Sequence, residues 1–307
     1  MPPAAAPAVA PHDPRLKPNF DLTRSTFRRP RLDQDRVAEY CRNGFLTYHE
    51  PVLREPQFVG LTERFEHLLD RHTAEGKRPE AMDTPHFGDH KLFEWIFSDE
   101  VLDLVEPLIG PNIALFSTHF ICKPAGHGRR VPWHEDSFYW RGRIKPMHVC
   151  TVWLAIDPSL VENGCMNVIP RALHGYSNYD EVSEETNVFP AEINWLKNLN
   201  ADRVGEATDA PENVVLRAHH CQLRPNEASL HDARLIHGSD ANTSPMRRCG
   251  YTMRFIPAAI PFDESKNKAP HQIYLARGEG HPDNTYADPT RDYDELFRQR
   301  IATGNGH

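Results

Sequence analysis

Several things are missing from these 307 residues. No apolar run approaches the roughly 20 residues of a membrane-spanning helix, so no membrane span is expected. No Lys/Arg block is long enough for a nucleic-acid footprint, and the net charge is −8 with histidine neutral. The cysteines Cys41, Cys122, Cys150, Cys165, Cys221 and Cys249 contain no CxxC pair. Scattered this way in a chain of this length, they predict reduced thiols in a cytoplasm, not a disulfide framework or a zinc knuckle. The start, MPPAAAPAVAPHDPRLKP, lacks a basic segment followed by an uninterrupted apolar one and does not read as a signal peptide. Its prolines predict an extended, disordered lead-in over residues 1–18, ahead of a single domain over 19–307. There is no internal repeat. What remains is ordinary soluble composition, 39% hydrophobic and 25% charged, with enough chain to bury a core.

The first third reads as helical, to about residue 112. Val37, Tyr40 and Cys41 recur at helical spacing and stop at Asn43-Gly44, before a short strand from Phe45 to Tyr48. Phe58, Leu61, Phe65, Leu68 and Leu69 form one stripe of a second helix. SDEVLDLVEPLIGP, opening on Ser98/Asp99 and closing at Gly110-Pro111, forms a third. The texture then changes. IALFSTHFICKP, VPWHEDSFYWRG, HVCTVWLAIDP, MNVIPRALHG, ASLHDARLIHGS and RRCGYTMRFIPA are short, β-branched or aromatic, and broken by Gly, Pro or Asn. The expected fold is mainly β with flanking helices: a sandwich or barrel core over about 113–260 with helices packed outside. The acid-rich stretch 176–219 breaks the strand rhythm and reads as a lid or binding insert. The loop-like tail from Arg277 to the end is expected to fold back over the domain.

In a strand, residues i and i+2 point the same way, so WHEDSFYW places His134 and Asp136 on one face and Trp133 and Glu135 on the other. An imidazole and a carboxylate held together make two-thirds of a 2-His-1-carboxylate facial triad for Fe(II). HxD alone is as readily a hydrogen-bonded pair without a metal. A second histidine would come from His219, His220, His231 or His237. His237 has the best context, at the end of an apolar strand and before Gly238; His231 is second. On the following strand Arg248, Thr252 and Arg254 share a parity, and Cys249, Tyr251, Met253 and Phe255 take the other. A cation facing inward from such a strand calls for an anion, and a dicarboxylate matches guanidinium as a bidentate partner.

WHEDSFYW, ENGCMNVIPRALHG and HGSDANTSPMRR, in that order, resemble the phytanoyl-CoA dioxygenase family of Fe(II)/2-oxoglutarate oxygenases, and the resemblance runs from about Asp33 to Phe255. It implies a double-stranded β-helix, the jelly roll of the cupin-like folds. It implies Fe(II) on His134, Asp136 and His237, with O₂ and 2-oxoglutarate as co-substrates. Arg248, 11 residues past His237, would hold the distal carboxylate of 2-oxoglutarate, helped by Ser239. Lys123, Trp153 and His119 would face the same cavity. Related halogenases replace the carboxylate by a small residue; Asp136 is retained here, which favours hydroxylation or another halide-free oxidation, with release of succinate and CO₂.

The aromatics Phe138, Tyr139 and Trp140 are candidate walls of the substrate pocket, or core packing. The partner expected is a small-molecule metabolite. The acidic insert would suit a cationic substrate, whereas Arg129, Arg130, Arg141, Arg143 and Lys145 would suit an anionic or CoA-bearing one, and either set could equally be a solvated face. Two other functions stay open: a cupin-like metal enzyme that does not use 2-oxoglutarate, and a non-catalytic binding module on the same scaffold.

Overall fold

A computed structural model describes residues 31–171, 218–267 and 270–293, together with 295 and 298. The lead-in, nearly all of the insert and the last stretch of the tail lie outside the described residues.

Local chemistry sets the helical flank. Helix α1 (Gln34–Asn43) opens where the Asp33 carboxylate accepts from the Arg36 N–H at 2.8 Å. It closes at Gly44, whose φ of 79° lets its N–H reach the Tyr40 carbonyl. Strand β1 (Phe45–Tyr48) follows, then α2 (Glu55–Ala74), which buries Leu61, Phe65 and Leu69. A two-residue strand β2 (Met82–Asp83) and a single turn α3 (Phe93–Ile96) lead to α4 (Asp99–Ile109), capped by Ser98 and begun by Asp99 and Glu100.

The chain then winds between two antiparallel sheets. Strands β3 (Ile113–Lys123), β5 (Cys150–Ala155), β8 (Ala228–Asp232) and β10 (Arg248–Pro257) belong to the larger sheet, ordered β1-β8-β5-β10-β3-β11, with β2 also pairing β3. Strands β4 (Val131–His134), β6 (Met166–Ile169), β7 (His219–Cys221) and β9 (Ile236–Ser239) form the smaller one, ordered β4-β9-β6-β7. This alternation is the winding of a jelly roll. Strand β11 (Tyr274–Arg277) closes the edge beside β3. Its Arg277 grips Asp99, Asp103 and Glu106 of α4 at 2.6–2.7 Å, tying the end of the sheet to the helical flank.

The larger sheet has two chemically opposite faces. Phe120, Cys122, Val152, Leu154, Leu230, Cys249, Tyr251, Met253 and Phe255 join the core that buries Leu61, Phe65, Leu102 and Val105 of the helices. The alternate residues, facing the smaller sheet, are polar and also buried: Ser117, His119, Lys123, Thr151, Ser229, His231, Arg248, Thr252 and Arg254. A sheet apolar on one buried face and polar on the other turns its polar face to groups that need partners, and the candidate site lies on that side.

Two expected strands are broken. ASLHDARLIHGS is β8 and β9 joined by a turn, in which Leu235 N–H bonds the Asp232 carbonyl and the Asp232 carboxylate accepts from Arg234 N–H at 2.8 Å. The turn carries the chain from one sheet to the other, so His231 and His237 come from opposite walls. VPWHEDSFYWRG is a strand only as far as His134; Ser137–Trp140 is a short helix, α5.

Candidate metal centre

His134 ends β4 directly opposite His237 on β9. The alternation rule predicted that Asp136 shares a strand with His134, and it does not. It has helical dihedrals (φ −65°, ψ −29°) at the start of α5. The aromatic run prefers a helical turn because Ser137 and Trp140, three residues apart, then bury together, and the Ser137 N–H bonds the Ala233 carbonyl. The turn still brings the Asp136 carboxylate to its partners. Its Oδ1 lies 3.5 Å from His134 Nε2 and 3.9 Å from His237 Nε2. The three ligand atoms lie within 4.8 Å of one another.

Both imidazoles are oriented alike. His134 Nδ1 donates to the Pro132 carbonyl at 2.8 Å, and His237 Nδ1 to the Leu235 carbonyl at 2.9 Å. That fixes the orientation of each ring and turns each Nε2 to the common centre. Burial, with His134 beside it, pushes His237 down to about 3, so it is a neutral imidazole at neutral pH. Burial pushes the Asp136 carboxyl up, but the basic groups around it, the Arg254 guanidinium among them, outweigh it and hold it well below the usual range. His237 therefore presents a neutral nitrogen and Asp136 a carboxylate.

The larger sheet faces this cluster with cross-strand rows. At the far end Lys123 and Arg248 are direct partners on β3 and β10. Both are buried, and among the described residues neither has a carboxylate within ion-pair distance. Lys123 donates to the Asp240 carbonyl; Arg248 Nε has no hydrogen-bond partner, and its guanidinium lies 4.9 Å from the centre of the Trp153 ring. Burial and the Arg248 charge push Lys123 down to about 7, and burial pushes Arg248 down to about 10. Two adjacent cations without an anion are costly to bury. Gly250, next inward on β10, leaves room for the indole: a Cβ there would come within 2.1 Å of Trp153 Cζ2. Gly250→Ala is expected to destabilise the fold by about 1–3 kcal/mol through overpacking and to shift the tryptophan emission. An unchanged melting temperature and emission spectrum would show that the indole does not lie there.

The next row is His119, Thr252, Trp153 and Ser229. His119 faces the cavity, but its Nε2 donates to the Glu80 carbonyl at 2.9 Å and its Nδ1 lies 3.9 Å from Asp83, so it belongs to the β2 side of the wall. The row level with the metal cluster is Ser117, Arg254, Thr151 and His231. His231 is outside the three-ligand cluster, its ring 5.2 Å from that of His237. His219 and His220 are exposed on β7, the former against Phe45. Ser239 is buried on β9, two residues past His237 and so on its face, paired with Val131.

The three aromatics after Asp136 divide. Trp140 is buried edge-on against Phe116 at 4.9 Å, with the Arg254 guanidinium 5.4 Å from its ring. Tyr139 lies 6.2 Å from the His134 ring, and half-buried Phe138 is covered by Arg141. Arg143 is committed to Asn267 and to the Tyr139 carbonyl. Sequence reasoning passed over Arg254, whose Nε is 3.8 Å from Asp136 Oδ2, although its shared parity with Arg248 was the signal.

Known proteins share sequence and fold with this chain. A "Probable alpha-ketoglutarate-dependent hypophosphite dioxygenase" of Stutzerimonas stutzeri is 28% identical over 171 residues, 54% of this chain and 53% of that protein. "Phytanoyl-CoA dioxygenase domain-containing protein 1" of Danio rerio is 24% identical over 236 residues, 72% of this chain and 76% of that one. The chain spans about half the length of most of these curated relatives. In fold it is similar to the non-heme monooxygenase ThoJ (TM-score 0.64, 18% identity, 88% of this chain and 95% of that one). It is also similar to SnoN, an alpha-ketoglutarate-dependent epimerase from nogalamycin biosynthesis (TM-score 0.57, 17% identity, 76% and 86%). The profile of the phytanoyl-CoA dioxygenase family matches residues 40–250, more than two-thirds of the sequence, and the chain belongs to that family.

Proposed function

We propose that this protein is a non-haem Fe(II)/2-oxoglutarate-dependent oxygenase that oxidises a C–H or other reducing bond of a small metabolite. The observation that carries the reading is the occurrence, between the same two sheets, of a three-ligand cluster of the right chemistry and a buried Lys123/Arg248 pair without a counter-charge among the described residues. A metal enzyme with no use for a dianion has no reason to bury that second feature.

The residues fit both groups. His134, Asp136 and His237 would hold Fe(II), whose chemistry when bound is to couple oxidative decarboxylation of 2-oxoglutarate to oxidation of the substrate. The chain supplies the rest. Arg248 and Lys123 take the distal carboxylate, Trp153 stacks on the guanidinium, and Ser239 adds a hydroxyl from the facing sheet. Trp140 and Tyr139 exclude water on the α5 side. Hydroxylation is the simplest outcome of this arrangement, since Asp136 leaves no ligand position for halide.

Lys123 makes 2-oxoglutarate binding pH-dependent. Its ammonium titrates near 7 in the free protein, and the bound dianion favours the charged form. Affinity is therefore highest below that pH and falls as pH rises through it, with proton uptake on binding above it. Calorimetry in buffers of different ionisation enthalpy measures that uptake; its absence at pH 8 would contradict the role.

The direct test of the reaction is oxygen-dependent formation of succinate and CO₂ from 2-oxoglutarate by the iron-loaded protein. Slow turnover without substrate is expected, increased by the right metabolite. No succinate under any condition, from folded and iron-loaded protein, would contradict the proposal.

A further inference from the structure

The row level with the metal cluster is not explained by the metal or by 2-oxoglutarate. Ser117, Arg254, Thr151 and His231 are consecutive cross-strand partners over β3, β10, β5 and β8. All four are buried, at 7%, 5%, 0% and 2% exposure. Side chains directly opposite in an antiparallel pair lie side by side on one face, so the row is a continuous polar band, with Ser229 two residues from His231 on the same face.

Its polar atoms are unmatched. Arg254 Nε, Thr151 Oγ1, His231 Nδ1 and Ser229 Oγ are all buried without a hydrogen-bond partner. Arg254 Nη1 makes only a long contact, 3.5 Å, to Ser117 Oγ. Buried donors are almost always paired in a dry core, so several gathered on one wall mark a place where a ligand belongs. Among the described residues the carboxylate that approaches Arg254 is Asp136, at 3.8 Å and without a hydrogen bond. Asp136 is also a member of the metal cluster. Once it is committed to a cation, the guanidinium lacks an unshared counter-charge. The other cations of the cavity, Lys123 and Arg248, are at the far end of the wall, six residues along β10 from Arg254. The two ends thus carry separate buried cations, with the three-ligand cluster beside one of them.

Resting on the oxygenase reading, we infer that Arg254, with Thr151, Ser229 and His231, is the substrate-recognition site, and that the substrate carries a compact oxyanion group, a carboxylate or a phosphorus oxyanion. Arg254 supplies charge and donors, and Thr151 and Ser229 supply hydroxyls that donate to anionic oxygens. Trp140 covers the guanidinium on the α5 side and is itself packed on Phe116, which leaves a short reach from Arg254 to the cluster and favours a small anion. Arg254 is a binding residue in this account: it places the bond to be oxidised beside the metal.

The experiment is calorimetric titration of the zinc-loaded protein, with and without 2-oxoglutarate, using acetate, hypophosphite and methylphosphonate, with acetamide as the neutral control. At least one anion is expected to bind and acetamide not to. Arg254→Gln is expected to weaken anion binding by about 10-fold or more, and Thr151→Val, which keeps volume and loses only a hydroxyl, by about 3-fold, while both bind 2-oxoglutarate nearly as the wild type does. Thr151→Val keeps the test decisive should Arg254→Gln fold poorly. The inference is overturned if no anion binds the wild type, if acetamide binds as well as acetate, or if neither variant weakens the anion. It is also overturned if Arg254→Gln loses 2-oxoglutarate as completely as Arg248→Ala, which would assign the row to the co-substrate. Failure of 2-oxoglutarate to bind the wild type would instead strike at the oxygenase reading, and the titration without it would still decide whether this wall holds an anion.

Discussion

Arg248→Ala is expected to weaken 2-oxoglutarate binding by about 100-fold or more, or roughly 3 kcal/mol, which is the usual loss when one partner of a buried charge pair is removed. Metal affinity is expected to stay close to wild type, because no atom of Arg248 belongs to the cluster of His134, Asp136 and His237. The variant is also expected to be no less stable without ligand. In the free protein Arg248 is a buried cation whose Nε has no partner and whose neighbour on β3 is another cation, Lys123. Removing it relieves that repulsion and raises the Lys123 pKa, which the Arg248 charge now helps to depress. Loss of stacking on Trp153 works in the opposite direction. The signature is therefore a separation: co-substrate lost, metal and fold retained. Equal affinity of wild type and variant for 2-oxoglutarate, measured by calorimetry on metal-loaded protein, would remove Arg248 from the site.

Asp136→Asn is expected to abolish turnover and to weaken divalent-metal binding by more than about 100-fold, since even outer partners of metal ligands are worth about 10–100-fold. The substitution keeps the side-chain volume and removes the charge, and its effect on the metal-free fold is expected to be small. The contrast appears in thermal unfolding. Zinc or manganese at 100 times its dissociation constant raises wild-type stability by about 2.7 kcal/mol, and the same concentration is expected to leave the variant's melting temperature nearly unchanged. A variant stabilised by metal as strongly as the wild type would show that the ion is held elsewhere.

Arg254 ties these two results together. Its guanidinium is 3.8 Å from the carboxylate that Asp136→Asn neutralises. The variant should therefore leave Arg254 with more charge to offer an anion. The anion affinity of the metal-free variant is expected to rise, not fall.

The helical third and the strand alternation of β10 were legible because one local rule decided each. Ser98 and Gly44 are caps whose side chain or dihedral freedom does the same work in any fold. On β10 the parity of Arg248, Thr252 and Arg254 is imposed by the backbone, and burial on both faces left it intact. The sequence rule failed at Asp136. Alternation assumes that a strand continues, and β4 stops at His134 because the next residues are held by contacts from β8–β9 and Phe116, not by their neighbours. His134 and Asp136 still converge, through a turn in place of a pleat. The division of ASLHDARLIHGS was missed for a related reason. The Asp232 turn was visible as polar residues, but that it switches sheets is a property of the whole winding. β11 escaped notice because four residues after a long loop carry little periodicity, and pairing with β3 places them. Arg254 was read as one member of a parity, and its neighbour Thr151 went unremarked, since only cross-strand register places them beside one another.

The central claim is that one cavity holds both an iron cluster and a 2-oxoglutarate site. The most direct measurement is anaerobic. Fe(II) and then 2-oxoglutarate are added to the metal-free protein, and the visible spectrum is recorded. Chelation of iron by the keto acid in a site of this ligand set gives a weak charge-transfer band. The account predicts that band in the wild type, its loss in Asp136→Asn, and its appearance in Arg248→Ala only at much higher 2-oxoglutarate. Folded, iron-loaded protein that shows no band at saturating 2-oxoglutarate would contradict the account, and the Lys123/Arg248 pair would then need a different anion.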